Sequence, residues 1–174
     1  MVNSEELIAI VNEHDKIIGT AKRGEVHEKG LLHREAYVFL IPSSYGKVLL
    51  QRRADDGKWT ASAGGHFSPN EDYLQAAQRE FQEELGIDVP VKFFKELCYE
   101  RFKTGWKNEI NDRFAKVFLL NRDIPISEFK PDPNEVAEVR YFNKHDIYNL
   151  VKEKTWLTRA ARETLKRYLM HRLR

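Results

Sequence analysis

Gly65-His66-Phe67-Ser68-Pro69-Asn70-Glu71, then Asp72 to Gln78, then Arg79-Glu80-Phe81-Gln82-Glu83-Glu84-Leu85-Gly86-Ile87: this stretch decides how the chain is read. Leu74, Ala77, Phe81 and Leu85 recur at helical spacing and predict an amphipathic helix from Ser68 to Leu85. Ser68 suits the N-cap, Pro69 the first helical position, Glu71 completes an S-x-x-E capping box, and Gly86 suits the C-cap. On this helix Glu80, Glu83 and Glu84 stand at i, i+3 and i+4, so they share one side. Carboxylates this close repel and raise one another's pKa unless a cation lies among them. Hard divalent cations such as Mg²⁺ or Mn²⁺ prefer these oxygens and remove the repulsion. Arg79 adds a cation that can orient one carboxylate. Gly64-Gly65, without side chains, lets the backbone approach a metal or phosphate. A metal held here can bind diphosphate oxygens and activate a water, with a further glutamate as general base. A glutamate-rich helix face alone is usually solvated surface; the whole spacing is what argues for chemistry.

Outward from the helix, Leu7–Val11 and Lys16–Thr20 predict a hairpin around Asn12-Glu13-His14-Asp15. Ala36–Ile41 is an apolar run ending at Pro42 and predicts a buried central strand, followed by a turn at Ser43–Gly46 and a strand over 47–53. Further strands are expected over 93–102, 114–120 and 136–142, with helices over 144–152 and 157–173. Strands and helices in this order predict an α/β fold with a mixed β-sheet between helices. No repeat, linker or low-complexity tract interrupts the chain, so residues 1–174 are expected to form one domain.

Composition removes several function classes. The formal net charge is +2, which gives no electrostatic reason to expect a nucleic-acid polymer as partner. The single cysteine, Cys98, makes no intrachain disulfide and no CxxC metal pair. The first residues are acidic with no apolar run, unlike a signal peptide, and no stretch is long enough to span a bilayer; a cytoplasmic, membrane-free protein is expected. A homodimer is compatible with the sequence.

Gly65-x5-Glu71-x7-Arg79-Glu80-Phe81-x-Glu83-Glu84-x-Gly86-Ile87 resembles the complete box of the Nudix hydrolases, over residues 65–87. The departure is Phe81, where that family usually has an aliphatic residue. The resemblance implies an α/β/α sandwich with the box as a loop–helix–loop. It implies a metal-dependent hydrolase that cleaves a diphosphate linkage in a small molecule, a nucleoside diphosphate derivative foremost. By carry-over, Glu83, Glu80 and Arg79 are catalytic. Glu80, Glu83, Glu84 and the Gly64 carbonyl hold Mg²⁺ or Mn²⁺, and Gly65, Glu71 and Gly86 support the box, with Arg79 paired to Glu71. A later glutamate often completes such a site; Glu135 is the first candidate, with Glu109 and Asp112 behind it.

A second layer of resemblance points to the type I isopentenyl diphosphate isomerase branch. It rests on Gly19-Thr20 to His27, His33-Arg34, Gln51-Arg52-Arg53, Trp59-Thr60-Ala61-Ser62 and Gly65-His66. His27, His33 and His66 fall near places where that enzyme has metal-binding histidines, and three histidines with a carboxylate suit a transition metal. Each is also readable as a plain buried or polar histidine. The isomerase's catalytic cysteine is replaced here by Gly64, which removes one of the two acids that alkene isomerisation needs. The alternatives to the hydrolase are therefore an isomerase-type enzyme and a non-catalytic nucleotide-binding module. Trp59, Tyr99, Phe102 and Trp106 are candidates for stacking on substrate or for the core, and Lys103 and Lys107 for phosphate contacts or solvent. The basic, amphipathic segment Thr158–Arg174 reads as a terminal helix packed on the sheet.

Overall fold

Alternation along the β-strands sorts apolar residues onto two faces, and each face is covered by different helices. In the computed structural model, residues 4–44, 46–106, 109–153 and 155–174 are described, apart from the side chains of Trp106 and Glu109. Lys107, and the side chains of the candidates Trp106 and Glu109, thus lie outside the described residues. β1 (Leu7–Val11) and β2 (Ile17–Lys22) form the expected antiparallel hairpin. Its turn is closed by Asn12, whose Oδ1 accepts from the His14 and Lys16 N–H groups. β3 (His33–Leu40) is central. It pairs with β1 at Ile10↔His33, antiparallel with β6 (Ala63–His66), and parallel with β8 (Glu109–Leu120) over its whole length. β7 (Phe94–Trp106) closes the edge against β8. A second sheet runs β5–β4–β9, from β4 (Val48–Arg53), β5 (Trp59–Thr60) and β9 (Val136–Phe142).

On one side Ala36, Val38, Leu40 and Leu49 pack with Ala76, Ala77, Phe81 and Leu85 of α2 (Tyr73–Leu85). On the other, Phe39, Val48 and Leu50 pack with Ile147 of α3 (Lys144–Lys152) and with Ala161 of α4 (Arg159–Thr164). Helices on both faces of the sheets make the α/β/α sandwich. The C-terminal segment does pack on the core, as Leu165, Leu169 and Leu173 are buried. It is not one regular helix: after α4 it widens to a π-helical stretch over Leu165–Leu169 and tightens to a 3₁₀ turn over Met170–Arg172.

The box helix also departs from expectation. It begins at Tyr73, not at Ser68. Asp72 is the N-cap, accepting from the Leu74 and Gln75 N–H groups, and the Gln75 side chain accepts from the Asp72 N–H to complete the capping box. Ser68 and Glu71 instead form a turn in the preceding loop. The Ser68 N–H donates to Glu71 Oε2 at 2.9 Å and the Glu71 N–H to the Ser68 carbonyl at 3.1 Å. Arg79 draws the Glu71 carboxylate into that loop and so takes it out of the helix. The C-terminus is as expected: Gly86 has φ 73°, and its N–H caps the Gln82 carbonyl. One short helix, α1 (Arg23–Lys29), has no counterpart in the sequence reading.

Candidate functional site

The box loop is organised by one guanidinium. Arg79 Nε donates to Glu71 Oε1 at 2.6 Å and Nη2 to Glu71 Oε2 at 2.9 Å, a bidentate fork. Nη2 also donates to the His66 carbonyl at 2.9 Å, and Nη1 to Glu80 Oε1 and Glu83 Oε2, both at 2.8 Å. Burial works against the Glu71 charge, but Arg79 and the Ser68 N–H outweigh it and hold the carboxyl below its ordinary range. Loop and helix are therefore clamped at residues eight apart.

Glu80 and Glu84 point inward and Glu83 outward. Glu80 and Glu84 are buried on α2, whereas the Glu83 side chain is 60% exposed. Burial pushes the Glu80 carboxyl up to about 7; Arg79 offsets part of this, while Glu83 and Glu135 add to it. Glu84 is raised well above the usual carboxylate range, first by burial and then by Glu80, against the Gly64 and Gln51 hydrogen bonds. Mutual repulsion thus contributes as expected, but loss of water is the larger cause.

The two glycines fit this geometry closely. A Cβ on Gly65 would lie 2.6 Å from Glu80 Oε1, in the space the carboxylate itself occupies. Gly64 has φ 158° and its N–H donates to Glu84 Oε2 at 2.8 Å; a Cβ there would meet the Ala36 carbonyl at 2.5 Å and Tyr37 Cδ1 at 2.7 Å. Glu135 approaches from the loop before β9. It lies within electrostatic reach of Glu80, Glu83 and Glu84, and its carboxyl is raised by burial and by Asp132. Asp112 does not join the box: Arg101 grips it at 2.8 and 2.9 Å and Lys103 pairs with it at 3.1 Å. Trp59 and Phe102 are core residues, and Tyr99 stacks on Phe114. Burial raises the Cys98 thiol to about 12, so it is no reactive thiolate.

The histidines assemble from three elements: His27 on α1, His33 opening β3 and His66 closing β6. One nitrogen of each lies within 4.8 Å of the others, and this is the one such group of three His, Cys, Asp or Glu side chains among the described residues. The box glutamates do not converge as tightly, because Arg79 Nη1 stands between Glu80 and Glu83. His27 Nε2 and His66 Nε2 are 3.2 Å apart. Burial, then His33, pushes His27 down to about 4, and burial holds His66 well below its ordinary range. Two neutral imidazoles whose Nε2 atoms face each other suit a shared cation when each carries its proton on Nδ1. His33 Nδ1 donates to the Leu31 carbonyl at 2.9 Å, and among the described residues its buried Nε2 has no hydrogen-bond partner. Glu35 adjoins the group, with Oε1 3.4 Å from His66 Nε2. Arg113 pairs with it, the Tyr37 hydroxyl donates to it, and Asn111 Nδ2 donates at 3.1 Å. Burial opposes this charge, yet Arg113 and the histidines keep the Glu35 carboxyl well below the usual range. The sequence reading did not find Glu35 or Arg113. The signal available was a pair of charges at register-neighbouring positions of two apolar strands.

A family model described as the NUDIX domain matches residues 31–168. The chain belongs to the Nudix family. Among proteins similar to this Nudix chain is Nudix hydrolase 3 of Arabidopsis thaliana, 32% identical over 85% of the chain. The chain spans only 20% of that protein's length. Isopentenyl-diphosphate Delta-isomerase 2 of Photorhabdus laumondii is also 32% identical, over 72% of the chain and 76% of the isomerase. The crystal structure of DR0079 from Deinococcus radiodurans superposes with a TM-score of 0.73 at 20% identity, covering 94% of this chain and 99% of that one. That likeness supports the Nudix fold. The isomerase relative agrees with the second layer of resemblance in the sequence.

Proposed function

We propose that this Nudix enzyme is a metal-dependent hydrolase that cleaves a diphosphate linkage in a small molecule, a nucleoside diphosphate derivative foremost. It would act in the cytoplasm as a single domain over residues 1–174. The observation that carries the reading is the buried pair Glu80 and Glu84 set against Gly64-Gly65, with Glu83 and Glu135 beside it. Two desolvated carboxylates whose protons are held up by burial are a poor arrangement for a bare protein and a good one for a hard cation. Glu80, Glu83 and Glu84, with the Gly64 carbonyl, would hold Mg²⁺ or Mn²⁺. When bound, such an ion would offset the charge on diphosphate oxygens and lower the pKa of a water, making it a better nucleophile towards phosphorus. Arg79 keeps Glu71, Glu80 and the His66 carbonyl in fixed relation, so the loop and helix present their oxygens together. Glu83, the exposed member, would take a proton from outside the buried pair.

The test is a screen for phosphate, released directly or by an added phosphatase acting on the products, over nucleoside di- and triphosphates, nucleotide sugars and isopentenyl diphosphate, with Mg²⁺, with Mn²⁺ and with chelator. Turnover that needs the metal and disappears in Glu84→Gln is expected. Turnover unaffected by chelator, or retained in Glu84→Gln, overturns the reading.

A second reading, isomerisation of an allylic diphosphate at a transition metal, is favoured by the histidine group and by the isomerase relative. Three imidazoles suit a borderline metal better than Mg²⁺. Gly64 stands against it, since Tyr37 and the Ala36 carbonyl fill the space a side chain would need there. Dimethylallyl diphosphate formed from isopentenyl diphosphate would establish this second reading; no conversion is expected.

A further inference from the structure

Gln51 is a neutral residue buried beside the charged pair. It lies on β4, 2% exposed, held in register with Thr60 of β5 and Val139 of β9. Its Nε2 donates to Glu84 Oε2 at 3.0 Å. The Gly64 N–H donates to the same oxygen at 2.8 Å. Both donors therefore converge on Oε2, and among the described residues no hydrogen bond reaches Glu84 Oε1. With Glu84 ionised, as a metal ligand must be, turning the amide over would set its oxygen against the carboxylate, and this fixes the orientation. In that orientation Gln51 Oε1 is also buried, and among the described residues it has no hydrogen-bond partner. Buried acceptors are rarely left so, and one beside a candidate metal centre calls for a donor from that centre.

We propose that Gln51 is a positioning residue of the metal centre: it occupies Glu84 Oε2, leaves Oε1 as the oxygen that meets the cation, and accepts through its own Oε1 from a water on that cation. The proposal rests on the reading of Glu84 as a metal ligand, and its test separates the two. Mn²⁺ alone is titrated into wild type, Gln51→Leu and Glu84→Gln, with free ion followed by electron paramagnetic resonance and folding by thermal melts. Gln51→Met, which keeps the side-chain length, is carried in parallel and replaces the leucine variant if that one does not fold. Gln78→Ala, at a partly exposed side chain bonded to Asp88, is the control expected to behave as wild type.

Gln51→Leu is expected to weaken Mn²⁺ binding by about 10- to 100-fold, the usual effect of removing a group that orients a ligand. The spectrum of the bound ion should change as well, which a purely structural role would not cause. If Glu84→Gln loses affinity while both Gln51 variants bind with wild-type affinity and spectrum, the positioning role is overturned and the metal site stands. If Glu84→Gln also binds as wild type, the metal reading falls and the role of Gln51 with it.

Discussion

Replacing Glu80 by glutamine should stabilise the metal-free protein, and the gain should grow with pH. The fold raises this carboxyl from 4.5 to about 7, chiefly by burial, with Arg79 opposing. A raised folded-state pKa favours the protonated form. Its contribution to stability is fully present below pH 4.5 and is lost as pH rises through 7. The full difference corresponds to about 3 kcal/mol at 1.36 kcal/mol per unit. Between pH 5 and pH 8, linkage places about 2–3 kcal/mol of it. The glutamine keeps the shape and has no charge to desolvate. Glu84 is raised partly by Glu80, so relieving that repulsion acts in the same direction. Thermal unfolding in chelator at pH 5, 6, 7 and 8 reads the gap between wild type and Glu80→Gln. For a chain of this length the gap should widen by about 5–10 °C in the variant's favour. Saturating Mg²⁺ should narrow it, because the ion takes over the role of the proton. A gap that stays constant across the pH series, or that widens in favour of wild type, refutes the argument that burial governs this carboxylate.

Gly64→Cys should not create isomerase activity. Its Cβ meets the Ala36 carbonyl and the Tyr37 ring, so a loss of about 1–3 kcal/mol by urea unfolding is expected, with no dimethylallyl diphosphate formed. Arg79→Lys keeps the charge but loses the fork to Glu71; a destabilisation of about 2 kcal/mol and a clear fall in kcat should appear together. Phe81→Leu sits in the α2 core away from the carboxylates. It should lower stability by less than about 1.5 kcal/mol and leave kcat near wild type, which separates packing from chemistry in the box. His33→Ala should abolish any tight Co²⁺ binding seen by visible absorbance while Mn²⁺ binding at the carboxylates persists.

The parts of the fold carried by periodicity were readable in the sequence. The apolar run ending at Pro42, the hairpin around Asn12 and the helix over Lys144–Lys152 all appear where hydrophobic patterning places them. What escaped was decided by partners distant in sequence. β6 is Ala-Gly-Gly-His and has no strand former; it is a strand because β3 offers it a ladder. α1 has no side-chain cap at its start, and its stop is marked by Gly30 in the left-handed region after it. The helix start was misplaced because Ser68 and Glu71 do bond to each other as a capping box would suggest, but in a turn that Arg79 pulls away from the helix. At the site, the spacing placed Glu80, Glu83 and Glu84 on one helix. It did not say that two would be buried and one exposed, because that depends on β4 and β6 packing against α2. Glu35 reads as an ordinary polar position, and Gln51 only as part of the isomerase-like pattern, until the folded strands surround them.

Strand β3 works as a ruler between the two candidate centres. One ladder sets Glu35 opposite His66 and Tyr37 opposite Gly64, so the histidine group and the box glycines are measured off the same backbone. Its other edge is locked to β8 by pairs from His33↔Arg113 to Leu40↔Leu120, which brings the Arg113 charge to the same place. A slip of one residue would displace both centres by about 3.3 Å and turn their side chains to the wrong face. Either set of ligands can therefore be altered by substitution without disturbing the spacing of the other. Such an arrangement allows one scaffold to pass between chemistries by exchanging residues on a fixed scale, with no need to rebuild the sheet.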